Sequence, residues 1–142
     1  MYRKILVALE STPTDQELIP VIIRLAALLK SELLLLHVAD GWVARNFDQL
    51  KLAESEEMKE DRRYLDETAA RLRTETGLEI STHLALGSPP DQILKIAGSE
   101  QCDLIALASH GHRLVGDIIH GSTIDAVRHR ARVPIFVVPP KK

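Results

Sequence analysis

The sequence predicts a single α/β domain, built on a five-stranded parallel β-sheet with helices on both faces. Short apolar runs alternate with longer amphipathic segments along the whole chain, a pattern typical of parallel strands joined by helical crossovers. Four of the five runs are almost continuous in Leu, Ile, Val and Ala, as expected for strands covered on both faces. The length of 142 residues, 45% of them hydrophobic, suits one complete core. Residues 1–142 are therefore predicted to form one domain.

The five apolar runs are the predicted strands. The third run alternates apolar and polar residues more than the others do, so we expect it at an edge of the sheet. The runs are Lys4 to Leu9, Leu33 to Val38, Leu78 to Leu86, Leu104 to Leu107 and Pro134 to Val138.

The segment between the first two strands predicts an amphipathic helix. Apolar residues recur at helical spacing from Leu18 to Leu29. The residues Thr14 to Glu17 have the types of a capping box, so we expect the Thr14 side chain to cap this helix. Pro20 conflicts with the pattern, because a proline inside a helix costs roughly 3 kcal/mol or kinks it.

The longest predicted helix precedes the third strand. The chain from Asp48 to Thr76 is rich in Glu, Lys and Arg, and Gly77 is its predicted stop. The region from Asp40 to about Glu57 has no clear apolar face, which predicts a mobile loop or a frayed helix start. The helix keeps a single apolar stripe, formed by Met58, Leu65, Ala69 and Leu72.

Two shorter helices complete the prediction, Pro89 to Gly98 and Ser122 to Arg132. Each follows a loop that can face a ligand at the end of a strand.

Charge and cysteine content narrow the classes of function. The net charge of −2, without a long basic run, disfavours nucleic-acid binding. Cys102 is the only cysteine, which excludes an internal disulfide and a thiolate metal cluster and fits a reducing compartment. The apolar segments are too short for a signal peptide or a membrane span. We therefore expect a cytoplasmic protein that does not enter the membrane.

The most informative motif follows the fourth predicted strand. Ala108 to Gly111, Ala-Ser-His-Gly, is followed after nine residues by Gly121-Ser122-Thr123, at the start of a predicted helix. Glycine lets the backbone approach a ligand closely, and the first amides of a helix point outward without partners. Together with the helix dipole, these amides favour a bound phosphate.

This motif resembles that of the nucleotide-binding universal stress proteins. Their pattern is a glycine, two residues, a second glycine, nine residues, and then Gly-Ser or Gly-Thr. Gly111, Gly121 and Ser122 match it, and Ala108 replaces the first glycine. Three further segments resemble the family: the opening Lys4 to Thr12, the Gly-x-Pro turn before the third helix within Gly87 to Ile93, and the ending Val133 to Val138.

The resemblance implies a Rossmann-like or flavodoxin-like, doubly wound sheet with the strand order 3-2-1-4-5. Ligands of such sheets bind at the carboxyl ends of the strands where the order reverses, which is between the first and fourth strands. The family implies ATP as the ligand, with Mg²⁺ held through its phosphates, and a role as a stress-response sensor or regulator.

Matched position by position, the resemblance also implies a set of nucleotide-binding residues. Family members usually have Asp where Glu10 stands, so the carboxylate here reaches one methylene farther. Ala108 fits the motif without strain only at negative φ, because alanine disfavours positive φ. The set comprises Ala8, Leu9 and Glu10 beside adenine and ribose, Val38 against the base, Leu107, Ala108, Gly111 and His112 along the ribose and phosphates, and Gly121, Ser122 and Thr123 closing on the phosphates.

The histidines allow two interpretations. His110, His112 and His120 lie in the motif region, but the strongest metal sites add carboxylates or thiolates at set spacings. We therefore predict no metal ligands, and expect His110 and His112 to donate to phosphate oxygens. His37 lies within an apolar run and is predicted to be a core histidine with internal partners.

No catalytic residue is predicted. The sequence has neither the lysine-containing P-loop motif nor a Gly-x-Ser-x-Gly elbow. Two alternatives to a nucleotide-binding regulator stay open: a dimeric interaction module of the same fold that binds no nucleotide, and a slow ATP-hydrolysing enzyme. The last strand, within Val133 to Val138, is apolar and expected at a sheet edge, which predicts a homodimer formed through it.

Overall fold

Strands and helices alternate along the chain, as the sequence predicts. The computed structural model describes residues 1–39, 51–109 and 121–140. Its elements are β1 (Lys4–Leu9), α1 (Asp15–Leu29), β2 (Glu32–Ala39), α2 (Lys51–Thr76), β3 (Ile80–Leu86), α3 (Pro89–Ser99), β4 (Leu104–Ala108), α4 (Gly121–Arg130) and β5 (Ile135–Val138).

The described strands form one parallel sheet in the order β3-β2-β1-β4-β5. This order confirms the predicted fold, including the place of β3 at an edge. β1 lies between β2 and β4, with Leu9 opposite His37 on one side and Val7 opposite Ala106 on the other. The carboxyl ends of β1 and β4 are therefore neighbours.

Helices cover both faces of the sheet. Alternate residues of β1 point to opposite faces, so Val7 packs with α1 and α2, whereas Leu6 packs with α3 and α4. The buried residues Leu65, Ala69 and Leu72 attach α2 to the sheet. The predicted apolar stripe of this helix is thus confirmed at these three positions.

One local prediction at a helix start is wrong, that of the Thr14 cap. Thr14 precedes α1 but makes no side-chain capping bond, because its backbone is helical (φ −57°, ψ −30°) and not in the β region that an N-cap residue usually adopts. The prediction for the start of α2 left two alternatives, a mobile loop or a frayed helix start; the helix begins at Lys51, so residues 51–57 belong to the helix. Lys, Leu, Ala and Glu dominate this segment, and their helix propensity replaces the missing apolar face. The remainder of the predicted loop, residues 40–50, lies outside the described residues.

Two helices end on a left-handed residue. The α1 helix ends at Lys30, with φ 58°, and the amides of Lys30 and Ser31 both donate to the Ala26 carbonyl. The α2 helix ends at Gly77, with φ 73°, as predicted. Glycine adopts this conformation freely, whereas a residue with a Cβ is strained in it. Lys30 is thus a strained helix terminus.

We expect Lys30→Gly to raise the free energy of unfolding by about 1 kcal/mol, because glycine relieves the strain of a left-handed residue. The measurement is urea denaturation. Gly77→Ala is the matched control and should lower stability by about 1 kcal/mol, since a Cβ at Gly77 meets no atom within 4 Å and adds only backbone strain. Destabilisation by Lys30→Gly would contradict this explanation.

Candidate functional site

The candidate site lies where the strand order reverses, at the carboxyl ends of β1 and β4. β1 continues into Glu10 and Ser11, and β4 continues into Ser109. The Ser109 amide donates to the Val138 carbonyl at 2.8 Å, which prolongs the pairing of β4 with β5. A reversal point in an open α/β sheet leaves a crevice between the loops that follow its two strands, and ligands of such sheets bind there.

The turn after β1 is held by a buried carboxylate. Asp15, at the start of α1, is fully buried, and its two oxygens accept the amides of Glu10 and Ser11 at 2.9 and 3.0 Å. Ser11 has a left-handed backbone, with φ 60°, which is uncommon for a residue other than glycine. The two hydrogen bonds to Asp15 fix the turn in this conformation.

A third donor to Asp15 comes from α2. The Tyr64 hydroxyl donates to Asp15 Oδ2 at 2.6 Å. Burial raises the pKa of the Asp15 carboxyl above its ordinary value, although the bonds from Tyr64, Glu10 and Ser11 act in the opposite direction. Burial also raises the pKa of Tyr64, and its hydrogen bond to Asp15 raises it further. The tyrosine therefore keeps its proton and donates.

His37 connects the end of β1 to α2 by a second route. Its Nδ1 lies 2.9 Å from the Leu9 carbonyl oxygen, and its Nε2 lies 3.4 Å from Asp61 Oδ2. Burial lowers the pKa of this histidine, but the hydrogen bonds to Asp61 and Leu9 and the charges of Asp61 and Asp15 raise it by more. His37 is only 2% exposed. The prediction of a core histidine with internal partners is confirmed.

The predicted nucleotide-binding residues of the strands lie together at this edge of the sheet. Glu10 is 2% exposed, so its carboxylate is largely covered by protein. The other side chains are buried in the core. These residues are Ala8 and Leu9 at the end of β1, Val38 in β2, and Leu107 and Ala108 at the end of β4.

Ala108 causes no backbone strain where the family motif has its first glycine. It lies in β4, opposite Val138, and is 2% exposed. The described residues that combine a side chain with a positive φ are Tyr2, Ser11, Lys30 and Gln101. Ala108 is not among them, so its φ is negative, as an alanine in the first position of the motif requires to avoid strain.

The second half of the motif is described in part. Gly121 and Ser122 are the first residues of α4, and Thr123 is 4% exposed. Gly111 and His112 lie outside the described residues, as do His110 and His120. Within 1–39, 51–109 and 121–140, no group of three or more His, Cys, Asp or Glu side chains could hold a metal ion.

Sequence reasoning missed three residues that shape this site: Asp15, Asp61 and Tyr64. The sequence pattern places Asp15 in a capping box. An acidic residue at a helix start that closely follows a strand can also accept hydrogen bonds from the amides of the turn between them. Asp61 and Tyr64 gave no signal, because their partners are 24 and 49 positions away in the chain.

Cys102 lies at the opposite end of the sheet, just before β4. It is 5% exposed, and burial raises the pKa of its thiol to about 11. The thiol is therefore protonated near neutral pH, and unreactive. None of the described helices is both long enough and apolar enough to span a membrane.

Solved structures share this fold over almost the whole chain. The structure of MJ0577 from Methanocaldococcus jannaschii has a TM-score of 0.76 at 24% identity and covers 100% of this chain and 99% of that one. A universal stress protein from Archaeoglobus fulgidus, in complex with dAMP, has a TM-score of 0.70 at 21% identity, covering 96% and 98%. Another universal stress protein, solved in complex with cAMP, has a TM-score of 0.68 at 15% identity, and the match covers 97% of both chains.

Sequence comparison identifies the protein family to which the chain belongs. The curated universal stress protein MJ0577 of M. jannaschii is 26% identical over 157 aligned positions, which span 99% of this chain and 97% of the relative. The sequence model of the universal stress protein family matches residues 1–139. The chain belongs to the universal stress protein family.

Proposed function

We propose that this chain binds an adenine nucleotide, ATP with Mg²⁺ held through the phosphates, and acts as a stress-response sensor or regulator in the cytoplasm. One observation carries the proposal. Glu10 follows β1, and the glycine motif starts at the end of β4, so the two lie side by side where the strand order of the sheet reverses. Two proteins of similar fold, solved with dAMP and with cAMP, support an adenine nucleotide as the ligand.

The residues at this edge suit such a ligand chemically. The Glu10 carboxylate can accept hydrogen bonds from ribose hydroxyls, and the apolar end of β2 at Val38 offers a surface for the base. The first amides of α4, from Gly121 to Thr123, can donate to phosphate oxygens. Gly111 and His112 complete the proposed phosphate contacts. Mg²⁺ would be bound by the phosphates themselves, which is a common arrangement for this ion.

We propose binding without catalysis. The ionisable side chains beside the β1 turn already have protein partners: Asp15 accepts three hydrogen bonds, Tyr64 donates to Asp15, and His37 contacts Leu9 and Asp61. None of these groups is both exposed and poised as a nucleophile or base. We therefore propose that the site holds a nucleotide in place and does not catalyse its hydrolysis.

We expect calorimetry to show heat on titration of the purified protein with ATP, ADP and AMP. Gly121→Val should abolish this heat, because a branched side chain would occupy the space that the phosphates need. Cys102→Ala is the control and should bind like the wild type, since Cys102 lies at the opposite end of the sheet.

Two outcomes would contradict the proposal. If the wild type gives no heat at millimolar ATP, the chain is better described as an interaction module. If Gly121→Val retains affinity, the phosphate site is wrong. Incubation with Mg²⁺ and ATP tests the alternative of a slow ATP-hydrolysing enzyme. Release of inorganic phosphate that depends on Ser122 would show hydrolysis.

We further propose that the chain forms a homodimer through its C-terminal strand, within Val133 to Val138. β5 is the last strand of the described sheet. Ile135 and Phe136 are only partly covered, Val137 is 40% exposed, and Val138 is buried. An apolar strand with an unpaired edge favours pairing with a second copy. A two-fold axis between the two β5 strands would bury these residues in both chains.

Analytical ultracentrifugation should show twice the mass of the chain, and Val137→Lys should shift the protein to monomer, because a lysine on an edge strand opposes pairing. Val21→Lys is the matched control. Val21 is 37% exposed on α1, and its substitution should leave the dimer intact. A wild type that sediments as a monomer at high concentration would show that the dimer is wrong.

A further inference from the structure

The backbone of the proposed nucleotide turn is bonded at three consecutive residues to one buried polar network. The Leu9 carbonyl contacts His37, and the amides of Glu10 and Ser11 donate to Asp15. All three residues are within or beside the predicted contacts to adenine and ribose. The conformation of this turn therefore depends on how His37 and Asp15 are held.

Both of these residues are held by the same face of α2. Asp61 contacts His37, and Tyr64 donates to Asp15. Residues three apart on a helix lie side by side, so Asp61 and Tyr64 approach the sheet edge together. One helix, far from the turn in sequence, thus contacts both His37 and Asp15, and these two side chains contact the turn backbone.

We propose that Tyr64 and Asp61 are positioning residues for the nucleotide, which act on the β1 turn through Asp15 and His37. The inference rests on the proposed nucleotide binding. Neither residue needs to touch the ligand. Their role is to keep the Leu9 to Ser11 backbone in the conformation that presents Glu10 to the ribose.

The Tyr64 hydroxyl is important because its acceptor is buried. Asp15 is fully covered and has three donors in the described part of the chain. A buried carboxylate that loses a donor is strongly disfavoured, so the carboxylate would turn or take up a proton. Either change weakens the bonds to the Glu10 and Ser11 amides, and Ser11 needs these bonds to stay left-handed.

The docking of α2 does not depend on these polar bonds. Leu65, Ala69 and Leu72 are at most 1% exposed and pack against the sheet. The Tyr64 ring also packs against this core cluster. A substitution that removes only the hydroxyl should therefore leave the helix in place, so an effect on nucleotide affinity can be separated from unfolding.

Tyr64→Phe is the direct test. We expect the dissociation constant for ADP, measured by calorimetry, to rise roughly tenfold or more, the effect of one hydrogen bond to a charged group. Tyr2→Phe is the matched control, because Tyr2 packs against the same core cluster but precedes the amino end of β1. Its dissociation constant should equal that of the wild type.

A nucleotide-free measurement accompanies the titration. In amide NMR spectra of the apo protein, Tyr64→Phe should shift the resonances of Glu10 and Ser11, and Tyr2→Phe should not. If the wild type binds ADP but Tyr64→Phe has unchanged affinity, this inference is overturned and the proposed function stands. Equal losses in both tyrosine variants would also overturn it. If the wild type binds no nucleotide, the proposed function and this inference both fail.

The Asp61 branch has its own readout, the pH profile of affinity. Charged His37 donates from both ring nitrogens, to the Leu9 carbonyl of β1 and to Asp61 of α2, with Asp15 of α1 as the other charge that raises its pKa. As the pH rises through the raised pKa of His37, the ring loses one donor and ADP affinity should fall. Asp61→Asn removes a charge that favours protonation, so the fall should begin at lower pH.

The protonation of ADP itself changes the measured affinity of both proteins equally. Comparison of Asp61→Asn with the wild type at each pH therefore cancels this effect. Identical pH profiles of the two proteins would overturn the role of Asp61. A parallel loss of affinity at every pH would do the same, because it would show a general structural effect.

Discussion

The rest of the candidate site depends on one buried carboxylate, that of Asp15. This side chain joins three elements that are separate in the chain: the turn after β1, the start of α1, and α2 through Tyr64. Its burial is unfavourable for a charge. Three hydrogen bonds offset this cost, and each bond also fixes a group near the reversal point of the sheet. The carboxylate therefore orders the β1 side of the site before any ligand is present.

The sequence predicts the sheet well, because strand order and core follow from patterns that are local or family-wide. The predicted bounds of β1 agree with the structure at both ends, and Gly77 ends α2 as expected. The position of Thr14 before the start of α1 agrees with the prediction, but the predicted side-chain cap is absent. Local sequence cannot decide whether a side-chain oxygen at a helix start caps the helix or, like those of Asp15, accepts from the preceding turn.

The long-range polar contacts of the site could not be predicted for a different reason. Tyr64 lies next to Leu65, on a helix whose apolar stripe was evident, and nothing in that stripe distinguishes a tyrosine that packs from one that also donates to a carboxylate. Its partner lies 49 positions earlier. Pairings of this kind are set by the tertiary fold. The family motif, in contrast, could be found from spacing alone because its residues are close in sequence.

The two sides of the site are constrained by different parts of the protein. On the β1 side, side-chain hydrogen bonds tie the turn to α2. On the β4 side, backbone pairing is the constraint: Ala108 lies opposite Val138, and the Ser109 amide donates to the Val138 carbonyl. Val138 belongs to β5, the strand through which we propose dimerisation. A ligand that bridges the two turns would therefore contact backbone whose position depends on α2 on one side and on the β5 edge on the other. If the chain binds a nucleotide as we propose, this arrangement would connect the nucleotide to two parts of the protein, α2 and the β5 edge, and neither connection would require a chemical reaction at the site.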